Sequence, residues 1–155
     1  MGPDLERAIL EISLRMRLLK AVQEEKSPAE ALIERDVMIL ELLNERGKMT
    51  VSEIAASAPS ASDSTISTTI TKLWRDREMV SKTISPENQR TTVVELTDKG
   101  KKAIEVINKQ RAERFKALFQ AIEVTDNEKQ VFLNILNRAI PFFDKYLGLD
   151  KASKK

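Results

Sequence analysis

The groups in this chain that can do chemistry are hydroxyls and cations, because the usual reactive side chains are missing. The sequence has no His and no Cys. That excludes a Ser-His-Asp triad, a thiol redox sensor and a disulfide framework, and it deprives zinc of its preferred ligands. No Gly-rich phosphate loop or EF-hand spacing occurs either. No catalytic residue, cofactor or metal is therefore expected, and an enzyme is the weakest reading. What remains is a polar run, Ser62-Asp63-Ser64-Thr65-Ile66-Ser67-Thr68-Thr69-Ile70-Thr71-Lys72, followed by Lys82 and by Asn88-Gln89-Arg90. Short hydroxyls suit close approach to phosphates and base edges, and Thr methyls can meet thymine methyls. Arg is favoured in a narrow, electronegative minor groove. The chemistry on offer is non-covalent recognition of a nucleic acid.

Those side chains need elements to hold them. Leu5, Ile9, Ile12, Met16, Leu19 and Val22 recur at helical steps and predict a first helix. Ser27-Pro28-Ala29-Glu30 has the form of a capping box and opens a second helix through Leu32, Val37, Leu40 and Leu43, closed by Gly47. Thr50 with Glu53 starts a short third helix over Val51, Ile54 and Ala55, interrupted at Ser57-Ala58-Pro59-Ser60. A fourth helix runs from near Ser62 to about Asp76, with Ile66, Ile70 and Leu73 (or Trp74) inward.

The period then changes to two. Residues 79–84 and 92–96 alternate apolar and polar around the turn Ser85 to Arg90, which predicts a β-hairpin. Thr97 caps a long helix with the stripe Ile104, Ile107, Arg111, Phe115, Leu118 and Ile122. Thr125 with Glu128 opens the last helix, which Pro141 should kink or divide, and residues 150–155 read as a frayed tail.

Short helix, turn, helix and hairpin in that order make a helix-turn-helix with a wing, whose second helix enters the major groove. The expected recognition-helix contacts are Ser62, Ser64, Thr65, Ser67, Thr68, Thr71 and Lys72, and the expected wing contacts are Lys82, Asn88, Gln89 and Arg90, with Lys82 and Arg90 flanking the tip. Composition alone leaves two readings of the fourth helix open, a DNA-reading face or a polar face turned to solvent. A hairpin directly after it tilts the choice toward DNA. Phe115, Phe119, Phe132, Phe142, Phe143 and Tyr146 read as dimer-core material in preference to a ligand pocket, and Trp74 reads as a packing residue.

At 155 residues the chain suffices for one domain or two small lobes, and 4 Gly with 5 Pro point to mostly helix. The net charge is +2, unevenly spread. Residues 97–118 hold seven basic against three acidic groups, and residues 1–36 hold six against eight. No apolar run reaches the roughly 20 residues of a membrane span, and no secretory signal is apparent. A cytoplasmic protein without a membrane partner is expected.

Met49-Thr50-Val51-Ser52-Glu53-Ile54-Ala55, Ser62-Asp63-Ser64-Thr65-Ile66-Ser67, and Ser85 to Arg90 followed by Val93-Val94-Glu95-Leu96-Thr97-Asp98-Lys99-Gly100 together resemble the MarR family of winged-helix regulators over about 50 residues. The resemblance implies a mostly α fold with one β-hairpin (α+β), a winged helix-turn-helix lobe plus a helical dimerisation region. It implies a homodimer, with residues 1–26 as an N-terminal dimerisation helix, 27–96 as the DNA-binding lobe and 97–149 as C-terminal dimerisation helices. It also implies double-stranded DNA as partner, a pseudo-palindromic operator, and a small-molecule effector, often an aromatic acid, whose contact residues are unknown. The chain departs from the family where Asn88 and Gln89 stand in place of Asp and a first Arg, where residues 72–79 run about one residue long without the usual helix-ending Gly, and where Cys is missing. The first departure leaves an alternative: a winged-helix dimer that serves as a protein-interaction module without specific DNA binding.

Overall fold

The computed structural model describes residues 2–25, 31–58 and 61–151. The chain divides into two compact units, Met1–Glu34 and Arg35–Lys155. The first holds helix α1 (Gly2–Glu25). Its expected stripe of Leu5, Ile9, Ile12, Met16, Leu19 and Val22 is helical, yet every one of these residues is exposed, as are Leu10, Leu14 and Leu18. Apolar side chains thus cover more of the helix than a single surface stripe would.

The second unit runs α2 (Glu34–Arg46), β1 (Met49–Thr50), α3 (Val51–Ala56), α4 (Asp63–Arg75), β2 (Val80–Ile84), β3 (Thr92–Leu96), α5 (Asp98–Ala121), α6 (Asp126–Leu147) and a 3-10 turn at Leu149–Lys151. The fold is mostly helical with a small antiparallel sheet in the order β1-β3-β2. Residues 27–30 lie outside the described segments, so the expected Ser27 capping box does too. Leu32 continues the apolar pattern expected of the second helix, but α2 begins two residues later, at Glu34, and Leu32 lies in the irregular segment before it. The helix stops where Gly47 takes φ +85° and its N–H closes on the Leu43 carbonyl at 2.8 Å.

Thr50 has two tasks. Its hydroxyl accepts from the Glu53 N–H at 3.0 Å while Glu53 Oε1 accepts the Thr50 N–H at 2.9 Å, a reciprocal cap on α3. Its backbone also pairs with Val93 as β1. This third strand is too short to show any alternation. The hairpin is in the expected place, with Val80 opposite Leu96, Lys82 opposite Val94 and Ile84 opposite Thr92. Pro141 does not divide α6. It removes one bond, to the Asn137 carbonyl, and the turns on both sides carry the helix through. Asp150 and Lys151, read as part of a frayed tail, form the 3-10 turn that follows α6.

The core lies entirely between Val37 and Ile104 among the described residues. Ile39, Leu40 and Leu43 of α2, Ile54 of α3, Ile66, Ile70 and Leu73 of α4, and Val80 and Val94 of the hairpin are all almost wholly buried. Leu73, not Trp74, completes the inward stripe of α4. No residue of α6 is buried.

The segment after α4 turns back on the end of that helix. The Arg77 N–H reaches back to the Lys72 carbonyl at 3.1 Å and the Met79 N–H to the Leu73 carbonyl at 2.9 Å, spans of five and six residues where a helix uses four. Glu78 then takes the left-handed conformation, φ +58°, at the point where a helix-ending Gly is usual. The chain turns from there into β2. Gly100, in the first turn of α5, passes under this loop so closely that a Cβ would stand 2.1 Å from the Met79 carbonyl oxygen. Gly100→Ala is therefore expected to force the backbone apart and cost about 1–3 kcal/mol. A thermal or denaturant melt of the purified variant checks this, and an unchanged midpoint would show that the loop yields freely.

Candidate nucleic-acid interface

Helix α4 starts at Ser62, whose hydroxyl accepts from the Thr65 N–H at 3.1 Å. The same oxygen lies 2.8 Å from the Thr65 hydroxyl and 3.2 Å from that of Ser64. Thr69 is buried, and its hydroxyl is satisfied by donating to the Thr65 carbonyl at 2.9 Å. Ser62, Thr65 and Thr69 thus have structural work: they cap the helix or bond its backbone. The hydroxyls of Ser67, Thr68 and Thr71 have no partner among the described residues. The Ser/Thr run, which looks wasteful as helix-forming sequence, is divided between capping and an outward face.

That face follows from the buried one. Ile66, Thr69, Ile70 and Leu73 point into the core. At 100° per residue, Ser64, Thr68, Thr71 and Arg75 lie directly opposite, with Ser67 and Lys72 on the flanks. Ser64, Ser67, Thr68, Lys72 and Arg75 are exposed and Thr71 is half-buried. Arg75 was not among the residues expected from sequence. Its helical step from Thr68 and Thr71 carries the necessary information, but Leu73 and Trp74 separate it from the polar run that ends at Lys72.

At the wing, the tip is held by backbone bonds from Ser85 N–H to the Thr91 carbonyl at 2.8 Å and from Thr91 N–H to the Asn88 carbonyl at 2.9 Å. Asn88 Oδ1 accepts the Arg90 N–H at 3.0 Å, an Asx-type turn. Asn88 therefore shapes the tip, whereas Gln89 and Arg90 are exposed. The Arg90 guanidinium has no partner among the described residues.

Lys82 does not flank the tip with Arg90. It lies inside β2, opposite Val94 and on the same side of the strand as buried Val80. Its ammonium reaches out over the Trp74 ring, 4.9 Å from the centroid. A long cation on an inward-facing strand position escapes burial by running along an apolar surface to water. Trp74 was expected to be a packing residue, but it is 41% exposed. It stands beside the core stripe, not within it. The Arg75 guanidinium lies 5.9 Å from the same centroid. Such cation–π contacts contribute about 0.5–1 kcal/mol at exposed sites.

From Ser62 to Arg90 the chain holds five basic and four acidic residues, so the interface is close to neutral overall. Two of these five cations, Arg75 and Lys82, meet at the Trp74 ring. No group of His, Cys, Asp or Glu able to hold a metal ion occurs among the described residues. An open depression of about 310 Å³ beside Asn127, Val131, Phe132 and Ile135 takes all its walls from α6, so it is the bare flank of a helix and not a closed pocket. No helix among the described residues is long and apolar enough to cross a membrane.

Residues 33–92, from the approach to α2 through the wing tip, match the sequence model of the MarR family. None of the curated proteins matches the chain. Among solved structures, a MarR family protein from Bacillus stearothermophilus is 18% identical, with a TM-score of 0.73 over 90% of this chain and 93% of that one. FabT of Streptococcus pneumoniae, solved in complex with DNA, is 13% identical with a TM-score of 0.69, covering 94% of this chain and 99% of its own. BpsR of Bordetella bronchiseptica, whose DNA binding is regulated by 6-hydroxynicotinic acid, is 16% identical with a TM-score of 0.58, covering 85% and 98%. At these identities the likeness to solved structures speaks to the fold alone. The matched segment contains the helix-turn-helix and the wing tip, and over it the chain is similar to the MarR family.

Proposed function

We propose that the protein is a homodimeric transcriptional regulator that binds a pseudo-palindromic operator in double-stranded DNA and responds to a small-molecule effector. One observation carries the DNA reading. The face of α4 directly opposite its buried stripe is made of short hydroxyls ending in Arg75, and a wing bearing an exposed Arg90 follows it. A slim polar face lets the backbone approach base edges, and the adjoining cations supply the sequence-independent attraction to phosphate.

The dimer reading rests on the other helices. Phe115 and Leu118 of α5, Val131, Phe132, Ile135, Phe142 and Tyr146 of α6, and the apolar residues of α1 are exposed, Tyr146 at 83%. Apolar cover on this scale marks an interface, and a second copy of the chain is the partner that the similarity to the MarR family favours. In this reading residues 1–26 and 97–149 form the dimer region and 27–96 the DNA-binding lobe. The protein acts in the cytoplasm, without catalysis. The effector reading leans on BpsR, a similar fold regulated by an aromatic acid.

Selection of duplexes from a random pool, followed by anisotropy titrations at several salt concentrations, tests this directly. A two-fold site with half-sites about 10 bp apart is expected. Unselective binding that vanishes at moderate salt would favour a protein-interaction module instead, a reading that the near-neutral interface keeps specific. Thr68→Glu, which places a carboxylate at the centre of the outward face, is expected to lower operator affinity more than tenfold (roughly 1.4 kcal/mol) while shifting stability by no more than about 0.5 kcal/mol. Arg90→Ala is expected to weaken binding and to lower the slope of log K against log salt by about 1. Retained affinity and slope would remove the wing from the mechanism. Sedimentation should give twice the chain mass at micromolar concentration, and a monomer there would overturn the dimer.

A further inference from the structure

The seam between α4 and the wing holds an arrangement that DNA binding by the two elements separately does not require. Trp74 is the only tryptophan in the chain. It could have faced inward, but Leu73 fills that place and Trp74 stays 41% exposed. Two cations converge on its ring, Lys82 from β2 at 4.9 Å and Arg75 from its own helix at 5.9 Å from the centroid. Neither is paired with a carboxylate among the described residues. Two cations at one ring gain from an anion placed within reach of both, and contact with the ring restrains each side chain. The Lys82 stem is already partly immobilised along the strand, so less side-chain freedom remains to be lost when an anion arrives.

We propose that Trp74 is a positioning residue whose ring holds Lys82 and Arg75 as a two-cation seat for one backbone phosphate of duplex DNA, at the seam between α4 and the wing. The inference rests on the DNA reading above and adds a specific contact to it. A phosphate fits better than a base edge. Lys82 presents a compact point charge and not a planar fork, and Arg75 sits at the C-terminal end of the hydroxyl face, beyond the hydroxyls themselves. The ring gives the seat its geometry, the cations give it its charge.

The test is affinity against salt for the selected operator and for a random duplex, using the full-length protein with Lys82→Gln, Trp74→Leu and Trp74→Phe. Lys82→Gln is expected to weaken both duplexes by the same factor and to lower the salt slope by about 0.9, the share of one phosphate. Trp74→Leu should lose most of that same increment although it removes no charge. Trp74→Phe should keep most of it, because a flat aromatic face remains. Tryptophan emission of the unsubstituted protein should change on saturation with either duplex.

The proposal is overturned if folded Trp74→Leu keeps the original slope, if Lys82→Gln weakens the operator but not random DNA, or if the emission does not respond. Should Trp74→Leu fail to fold by circular dichroism, the Lys82→Gln slope and the emission change decide the matter. Failure of the unsubstituted protein to bind any duplex would overturn the underlying DNA reading together with this one. Binding that is normal in all three variants would overturn the seat alone.

Discussion

The winged lobe depends on one close crossing, that of Gly100 beneath the loop at Glu78 and Met79. A Cβ at residue 100 would lie 3.0 Å from the Met79 carbonyl carbon and 3.2 Å from Leu96 Cδ2, as well as striking the carbonyl oxygen. Only the missing side chain allows the backbones to meet. Thr97 fastens the crossing from both directions. Its N–H donates to the Met79 carbonyl at 3.0 Å, its hydroxyl donates to the Glu78 carbonyl at 2.7 Å, and the same oxygen accepts from the Gly100 N–H at 3.1 Å. One threonine thereby caps α5 and satisfies the carbonyls left where α4 gives way to the hairpin. The end of α4, the base of the wing and the start of α5 are joined at a single point.

Because those three parts meet there, the relation between α4 and the wing is set within the lobe itself. Ile66, Ile70 and Leu73 fix the rotation of α4 about its axis by being wholly buried. That rotation determines which hydroxyls face out. The wing then stands at a place fixed by Met79, and Lys82, two residues beyond Val80, falls beside Trp74. Polar groups in this lobe consequently do different work according to their phase on the helix. Ser62, Thr65 and Thr69 serve the helix itself, and Ser67, Thr68 and Thr71 are left for a partner.

Much of this was legible in the sequence wherever a period was long enough to read. The α4 stripe, the hairpin, the capping boxes at Thr50 and Thr125 and the stop at Gly47 all follow from spacing and side-chain type. The missed features are those set by tertiary contact. Strand β1 exists because Met49 and Thr50 meet β3, and two residues have no alternation to display. Leu32 continues an apolar pattern but lies before the helix starts. Lys82 and Arg90 are both cations near a turn in the sequence. Only the pairing register shows that Lys82 belongs to the strand interior and Arg90 to the tip. Trp74 and Leu73 were interchangeable as inward residues until the rotation of α4 was fixed. Arg75 is a different case, since the 3.6-residue period already placed it with Thr68 and Thr71.

The lobe's rigidity also bears on how two lobes could be held at a set distance. Ile104 is the last buried residue of α5, and the helix continues to Ala121, about 25 Å further at 1.5 Å per residue. Arg111 bonds Glu41 of α2 at 2.7 Å, but both side chains are about one-third exposed, 32% and 39%. A pair so open to water contributes about 0–1 kcal/mol, so it steers the helix and does not lock it. Beyond Arg111, Phe115 and Leu118 are exposed. An isolated helix with such residues in water is marginal, because amphipathic helices owe most of their stability to packing. In a dimer that packing comes from the second copy. If the proposed homodimer forms, the orientation fixed at Gly100 is carried along α5 into its interface, and the separation of the two α4 faces becomes a property of helix packing and not of flexible linkers.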